Sequence, residues 1–207
     1  MAGFRILPRS FYRRPAEVVA RELLGRYLVR EAGGERLVVR LTETEAYLGA
    51  GDPAAHTYRG RRTERVRSMY LGGGHAYVYF TYGMHHCVNV VVGEVGSGSA
   101  VLLRAAEPVD GEAAMRANRG LAAGAPPAAI AGGPARLCQA LGIDRKLDAA
   151  TLWRGKLRLV EGDPASVETV ERTPRIGVAY AGEAASWPLR FLAVEPSLAA
   201  APRRRRG

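Results

Sequence analysis

Between Pro15 and Gly25 the apolar residues Val18, Val19, Ala20, Leu23 and Leu24 recur at helical spacing. That pattern predicts a short amphipathic helix over residues 15–24, with the proline in its first turn and the glycine as its stop. The period then falls to two. Residues 27–30 and 35–47, joined by Gly33-Gly34, predict a β-hairpin whose second arm sets Leu37, Val39 and Leu41 on one face. Unbroken alternation carries Glu43, Glu45 and Tyr47 onto that same face. Further on, residues 75–81 and 86–92 read as strands around a tip at Tyr82-Gly83-Met84-His85, and 100–105 as a third strand. Helical periodicity returns over 110–118 and 135–141, separated by an Ala/Gly/Pro-rich loop over 120–134 with no period of its own. Late strands are expected at 157–160 and 189–194. Strands and helices in mixed order, without βαβ alternation, give an α+β class on an antiparallel sheet.

A length of 207 residues with 47% hydrophobic content supports a single domain, expected over 1–202, followed by an arginine-rich solvated tail at 203–207. No apolar run of about 18 residues offers a membrane helix, and arginines interrupt the start where a secretory signal would lie, so a cytoplasmic protein with no membrane partner is expected. Cys87 and Cys138 are the only cysteines, too few for a disulfide framework. Charge changes the picture most. Thirty Lys+Arg against 20 Asp+Glu leave a net +10, and Lys146 and Lys156 are the only lysines. Guanidinium groups suit bidentate phosphate contacts, which makes nucleic acid the leading partner. Five of them, Arg59, Arg61, Arg62, Arg65 and Arg67, crowd one loop of expected irregular backbone that ends at Gly72-Gly73-Gly74.

Candidate chemistry lies beside that loop. Glu45, near the end of an apolar strand and two residues before Tyr47, is a candidate general base, with Glu43 as its rival. Tyr77 and Tyr79 share one strand face and have the aromatic surface that base stacking needs. Tyr82 and Met84 sit on a turn, where large side chains have no local packing reason to be unless they wedge into a partner. The His85-His86-Cys87 run sends consecutive side chains to opposite faces and has no completing Cys/His pair, so no metal site is expected.

At Glu43-Thr44-Glu45-Ala46-Tyr47-Leu48-Gly49, followed by Ala54-Ala55-His56, the chain resembles the alkyladenine (3-methyladenine, methylpurine) DNA glycosylase family. Further motifs recur in family order: Tyr77 to Met84 with Asn89, Val101 to Pro108, Gly133 to Leu141, Arg175-Ile176-Gly177-Val178 and Pro188 to Phe191. The resemblance covers about residues 8–194 and departs at His85, where the family pattern implies an aromatic residue such as Tyr. It implies a single α+β domain around a curved antiparallel sheet, with surrounding helices and a protruding, DNA-intercalating hairpin. The implied activity is a monofunctional glycosylase that excises alkylated or deaminated purines from double-stranded damaged DNA, working as a monomer without cofactor. By resemblance Glu45 activates water with Arg104 and the Ile176 carbonyl as companions, and Tyr47, Ala54, His56 and Tyr79 line the base pocket with Asn89 at its rim. Tyr82 and Met84 would enter the groove, and Thr63 with the loop arginines would meet the backbone. The competing reading is a non-catalytic minor-groove damage-binding protein. Glu45 separates the two, because a carboxylate facing phosphates weakens a mere binder.

Overall fold

The computed structural model describes residues 5–162, 167 and 169–194; the expected basic tail and the domain end at 202 lie outside the described residues. Helices α1 (Arg9–Tyr12) and α2 (Ala16–Leu23) precede strands β1 (Tyr27–Ala32) and β2 (Glu35–Tyr47). The arginine loop is built from tight 3-10 turns, Tyr58–Gly60 and Glu64–Tyr70, in place of the irregular backbone expected. Strands β3 (Ala76–Thr81), β4 (His85–Val92) and β5 (Ser99–Asp110) follow. Then come α3 (Glu112–Arg119), α4 (Pro127–Ala131), α5 (Pro134–Ala140), β6 (Leu157–Val160), β7 (Thr169–Thr173), a 3-10 segment Ala179–Ser186 and β8 (Arg190–Val194).

The strands form one curved antiparallel sheet in the order β3-β4-β5-β2-β1-β6. β2 is the long central element. β1 flanks its first half, β8 takes over that edge at Glu43, Thr44 and Glu45, and β7 pairs with β8. The predicted α+β class and antiparallel sheet are what the chain adopts. Gly33 and Gly34, with φ of 60° and 82°, close the β1–β2 turn in the left-handed conformation that tight hairpins require.

One face of the sheet is covered by helices. Val19, Ala20 and Leu23 of α2, Met115 of α3 and Leu137 and Cys138 of α5 pack against Leu37, Val39, Leu41, Val88, Val90, Val101 and Leu103. Val18, expected on the apolar side of α2, is 40% exposed instead. The helix expected from residue 110 begins at Glu112. Asp110 ends β5, where it pairs with Arg36 at 2.6 Å, and Gly111 (φ 78°) turns the chain. The 120–134 loop contains the short α4, and β7 carried too little alternation to be read.

The register of β2 against β5 places the chemistry. Leu41 pairs with Ala106, Glu43 with Ala105 and Thr44 with Leu103, so Thr42 on β2 and Arg104 on β5 are both extra residues at one level of the sheet. Bulges of this kind re-aim side chains beside active sites. Beyond them the core face of β2 passes to Thr44, whose hydroxyl donates to the Ala20 carbonyl at 2.8 Å, and to Ala46. Glu43, Glu45 and Tyr47 therefore lie opposite Leu37, Val39 and Leu41, not with them as unbroken alternation predicted.

Candidate active site

On the face away from the helices, the sheet floors a cavity of about 330 Å³. Tyr77 and Tyr79 of β3 form one wall, their rings stacked with centroids 5.4 Å apart and an interplanar angle of 29°. His56 meets Tyr79 edge-on at 4.7 Å, and its Nδ1 lies 2.8 Å from the Tyr77 hydroxyl. Burial, reinforced by Arg65 and Arg61, lowers the His56 pKa to about 4, so the ring is neutral near pH 7. Tyr47, Ala54, Arg104, Ile176 and Tyr180 complete the opposite side. Asn89, expected at the rim, is buried on the floor because β4 is an interior strand there; its side-chain amide donates to the Tyr77 carbonyl at 3.1 Å.

Glu45 sits behind this cavity with no solvent exposure. One carboxylate oxygen accepts the Ile176 N–H at 2.8 Å and lies 3.3 Å from Arg104 Nη1, and the other accepts the Tyr47 hydroxyl at 2.9 Å. Burial pushes its pKa up, and Arg104, the Ile176 amide and the Tyr47 hydroxyl oppose that rise. The result is a shielded carboxylate whose proton affinity exceeds that of an exposed glutamate, as a general base requires. At Ile176 the contact with Glu45 is made by the N–H; the carbonyl that the resemblance names as a companion in activating the water is a different group of the same residue.

Sequence reasoning missed what holds Ile176. Arg175 and Asp52 are both fully buried and joined by two contacts, at 2.5 and 2.9 Å. Arg175 also donates to the carbonyls of Ala46 and Ala184 and sets its guanidinium 4.8 Å from the Tyr47 ring centre. Asp52 accepts the N–H groups of Leu48 and Ala54. The pair thus clamps the 48–54 turn, the end of β2 and the Ile176 loop together. The quoted Arg175-Ile176 motif was the one signal for it; a partner 123 positions away leaves no local trace.

The tip expected at 82–85 is a turn at Tyr82 and Gly83, with φ of 51° and 67°, closed by the Met84 N–H on the Thr81 carbonyl at 3.2 Å. His85 belongs to β4 and pairs with Thr81. Tyr82 is 86% and Met84 68% exposed, at the mouth of the cavity and just beyond it respectively. Thr63 and all five loop arginines are exposed. Arg65 reaches the cavity, 5.6 Å from the Tyr79 ring centre, whereas Arg62 stacks on Tyr70 at 3.9 Å and Arg67 pairs with Glu64 at 3.4 Å, on the outer flank with Thr63. Among the described residues no group of three or more His, Cys, Asp or Glu side chains is placed to hold a metal ion, and no helix is long and apolar enough to cross a membrane.

The chain is 50% identical over 185 residues to a protein of Myxococcus xanthus, covering 89% of this chain and 88% of that one. It is 45% identical to one from Desulfitobacterium hafniense (89% and 93% covered) and 45% to one from Streptomyces avermitilis (97% and 95%). All three carry the provisional name 3-methyladenine DNA glycosylase. With the shielded carboxylate behind its aromatic cavity, these relatives define the class: a DNA glycosylase, a hydrolase of DNA repair. More particularly, the chain belongs to the methylpurine-DNA glycosylase (MPG) family, whose model matches residues 10–196.

Proposed function

We propose that the protein binds damaged double-stranded DNA as a monomer, flips an alkylated or deaminated purine into the Tyr77–Tyr79 cavity and hydrolyses its N-glycosyl bond. The substrates are of the 3-methyladenine, 7-methylguanine, hypoxanthine and etheno-adenine class. An enzyme acting on a base inside a duplex must extrude it, and faces of tyrosine attract electron-poor or cationic purines. Tyr82, exposed on its turn, fills the space that the flipped nucleotide leaves, with Met84 supporting it. Thr63 and the arginine loop hold phosphates on the flank.

The observation that carries the reading is Glu45, a fully buried carboxylate held by one N–H, one hydroxyl and one guanidinium directly behind that cavity. It takes a proton from water as the water attacks an oxocarbenium-like C1′, the role one carboxylate plays in inverting glycosidases. Arg104 favours the charged form of Glu45 before the proton arrives. The product is an intact abasic site. Lyase chemistry needs an amine, and neither Lys146 nor Lys156 lines the cavity.

The test is Glu45→Gln, which keeps the shape and removes the proton acceptor. Release of methylpurines from methylated duplex DNA is expected to vanish while binding is kept or tightened; activity within about tenfold of wild type refutes the assignment. Since Glu45 must be ionised and burial raises its pKa, release by the wild type is lost as pH falls through that raised value. The acidic limb should lie above the ordinary glutamate range near about 4.3. A limb at or below that value contradicts the role.

A further inference from the structure

Glu43 was the rival carboxylate in the sequence, and the structure gives it a different place. Its Oε1 accepts Arg104 Nε at 2.7 Å and Arg190 Nε at 2.6 Å. Arg104 then reaches Glu45 with Nη1 at the longer distance of 3.3 Å. Arg190 is fixed in turn, being paired in register with Glu45 across β2 and β8 and donating to the Thr173 hydroxyl at 3.3 Å. All three side chains of this chain of contacts are mostly buried, with 13 to 20% exposure.

We propose that Glu43 is a positioning residue: anchored by Arg190, it grips the Nε edge of Arg104 so that the Nη1 edge faces the carboxylate of Glu45. The planar fork of a guanidinium makes this geometric. Once its Nε hydrogen is committed to Glu43, the direction of Nη1 is set, which a lysine or an unanchored arginine does not achieve. Arg104 is also the extra residue of the β5 bulge, so the ladder alone does not fix where its side chain points.

Two effects of Glu43 on Glu45 oppose each other. As a neighbouring negative charge, Glu43 raises the proton affinity of Glu45; by holding Arg104, it lowers it. The other groups facing Glu45 are few. Tyr47 from its own strand, Tyr79 from β3 and Tyr180 from the C-terminal segment all have raised pKa values and stay neutral. Cys87 from β4 is raised too, His56 is neutral above about pH 4, and Arg175 is committed to Asp52.

The opposition of sign makes the test decisive. Single-turnover release of methylpurines from methylated duplex DNA is measured against pH for Glu43→Gln, Glu43→Asp and Arg190→Gln. Positioning predicts that Glu43→Gln moves the acidic limb to higher pH, so that release is lost at acidic pH values where the wild type still works, with duplex binding unchanged. Glu43→Asp keeps the charge but shortens the reach, and is expected to shift the limb the same way. Arg190→Gln loosens the anchor from another strand and carries the test if a Glu43 variant fails to fold. A limb that stays or moves to lower pH in Glu43→Gln, or wild-type behaviour in Glu43→Asp and Arg190→Gln, overturns the proposal and leaves Glu43 as a neighbouring charge. The inference rests on Glu45 as the base, and the two fail separately. An active Glu45→Gln removes that reading, whereas an inactive Glu45→Gln beside unaffected Glu43 variants removes only the positioning role.

Discussion

Tyr82 distinguishes a wedge from a packing residue most sharply, because the two roles predict opposite patterns of stability and activity. A tyrosine presents about 200 Å² of surface, and this one is 86% exposed, so folding covers only ~30 Å² of it. At about 25 cal/mol per Å², truncation to Ser forfeits less than ~1 kcal/mol of folding stability. The backbone recovers part of even that. With φ at 51°, Tyr82 occupies the left-handed region at a cost of about 1 kcal/mol, which Tyr82→Gly relieves. For a chain of this size ~1 kcal/mol moves Tm by about 2–4 °C, so both variants should melt within that range of the wild type. Loss of a ring that stacks in the duplex forfeits about 1–3 kcal/mol, or roughly 5- to 150-fold in lesion-duplex affinity and flipping. The assay pairs thermal melting with binding to, and single-turnover release from, duplexes carrying one lesion. A fall in Tm of more than about 8 °C with unchanged release would refute the wedge and make Tyr82 structural.

The other expectations concern the clamp and the arginine loop. Arg175→Met leaves Asp52 buried without its cation, which costs about 3–5 kcal/mol, reduced toward the lower value by the Leu48 and Ala54 N–H groups that Asp52 keeps. Tm should drop by about 6–20 °C, and an unchanged melting curve would show the pair to be dispensable. Among single alanine substitutions at Arg59, Arg61, Arg62, Arg65 and Arg67, at least two should flatten the slope of log K against log salt by about one unit each, with lesion preference kept. Slopes that match the wild type in all five would place the duplex on another surface.

Where the sequence alternated cleanly it located the strands, and where the chain contradicted its own alternation it misplaced the carboxylates. Leu37, Val39 and Leu41 promise a face that Glu43 and Glu45 would share, and nothing in the residue types at 41–44 marks the extra residue that moves them off it. Tyr47, His56 and Tyr79 do line the cavity, but it was the family resemblance that brought them together; their spacing of 9 and 23 residues carries no such signal by itself. Asn89 was misplaced because its depth depends on β5 lying beside it, a pairing between segments that sequence does not record. The Asp52–Arg175 pair and the Glu43–Arg190 contact stayed hidden for the same reason, since each spans more than 120 positions. Val18 is the opposite failure: periodicity alone assigns it to the core, whereas α2 turns it to solvent.

The facing bulges at Thr42 and Arg104 bear on how this protein tolerates changes in length. One extra residue on β2 is matched by one on β5, so the strands regain step with each other before Glu45 is reached. Thr42 is surplus in its strand: deleting it would leave Leu41 opposite Ala106, Glu43 opposite Ala105 and Glu45 opposite Leu102, removing a bend without moving the register of the site. Arg104 is surplus in β5 by pairing but not by chemistry, since its side chain meets both Glu43 and Glu45. Relatives of altered strand length should therefore dispense with the residue at Thr42 and keep the one at Arg104.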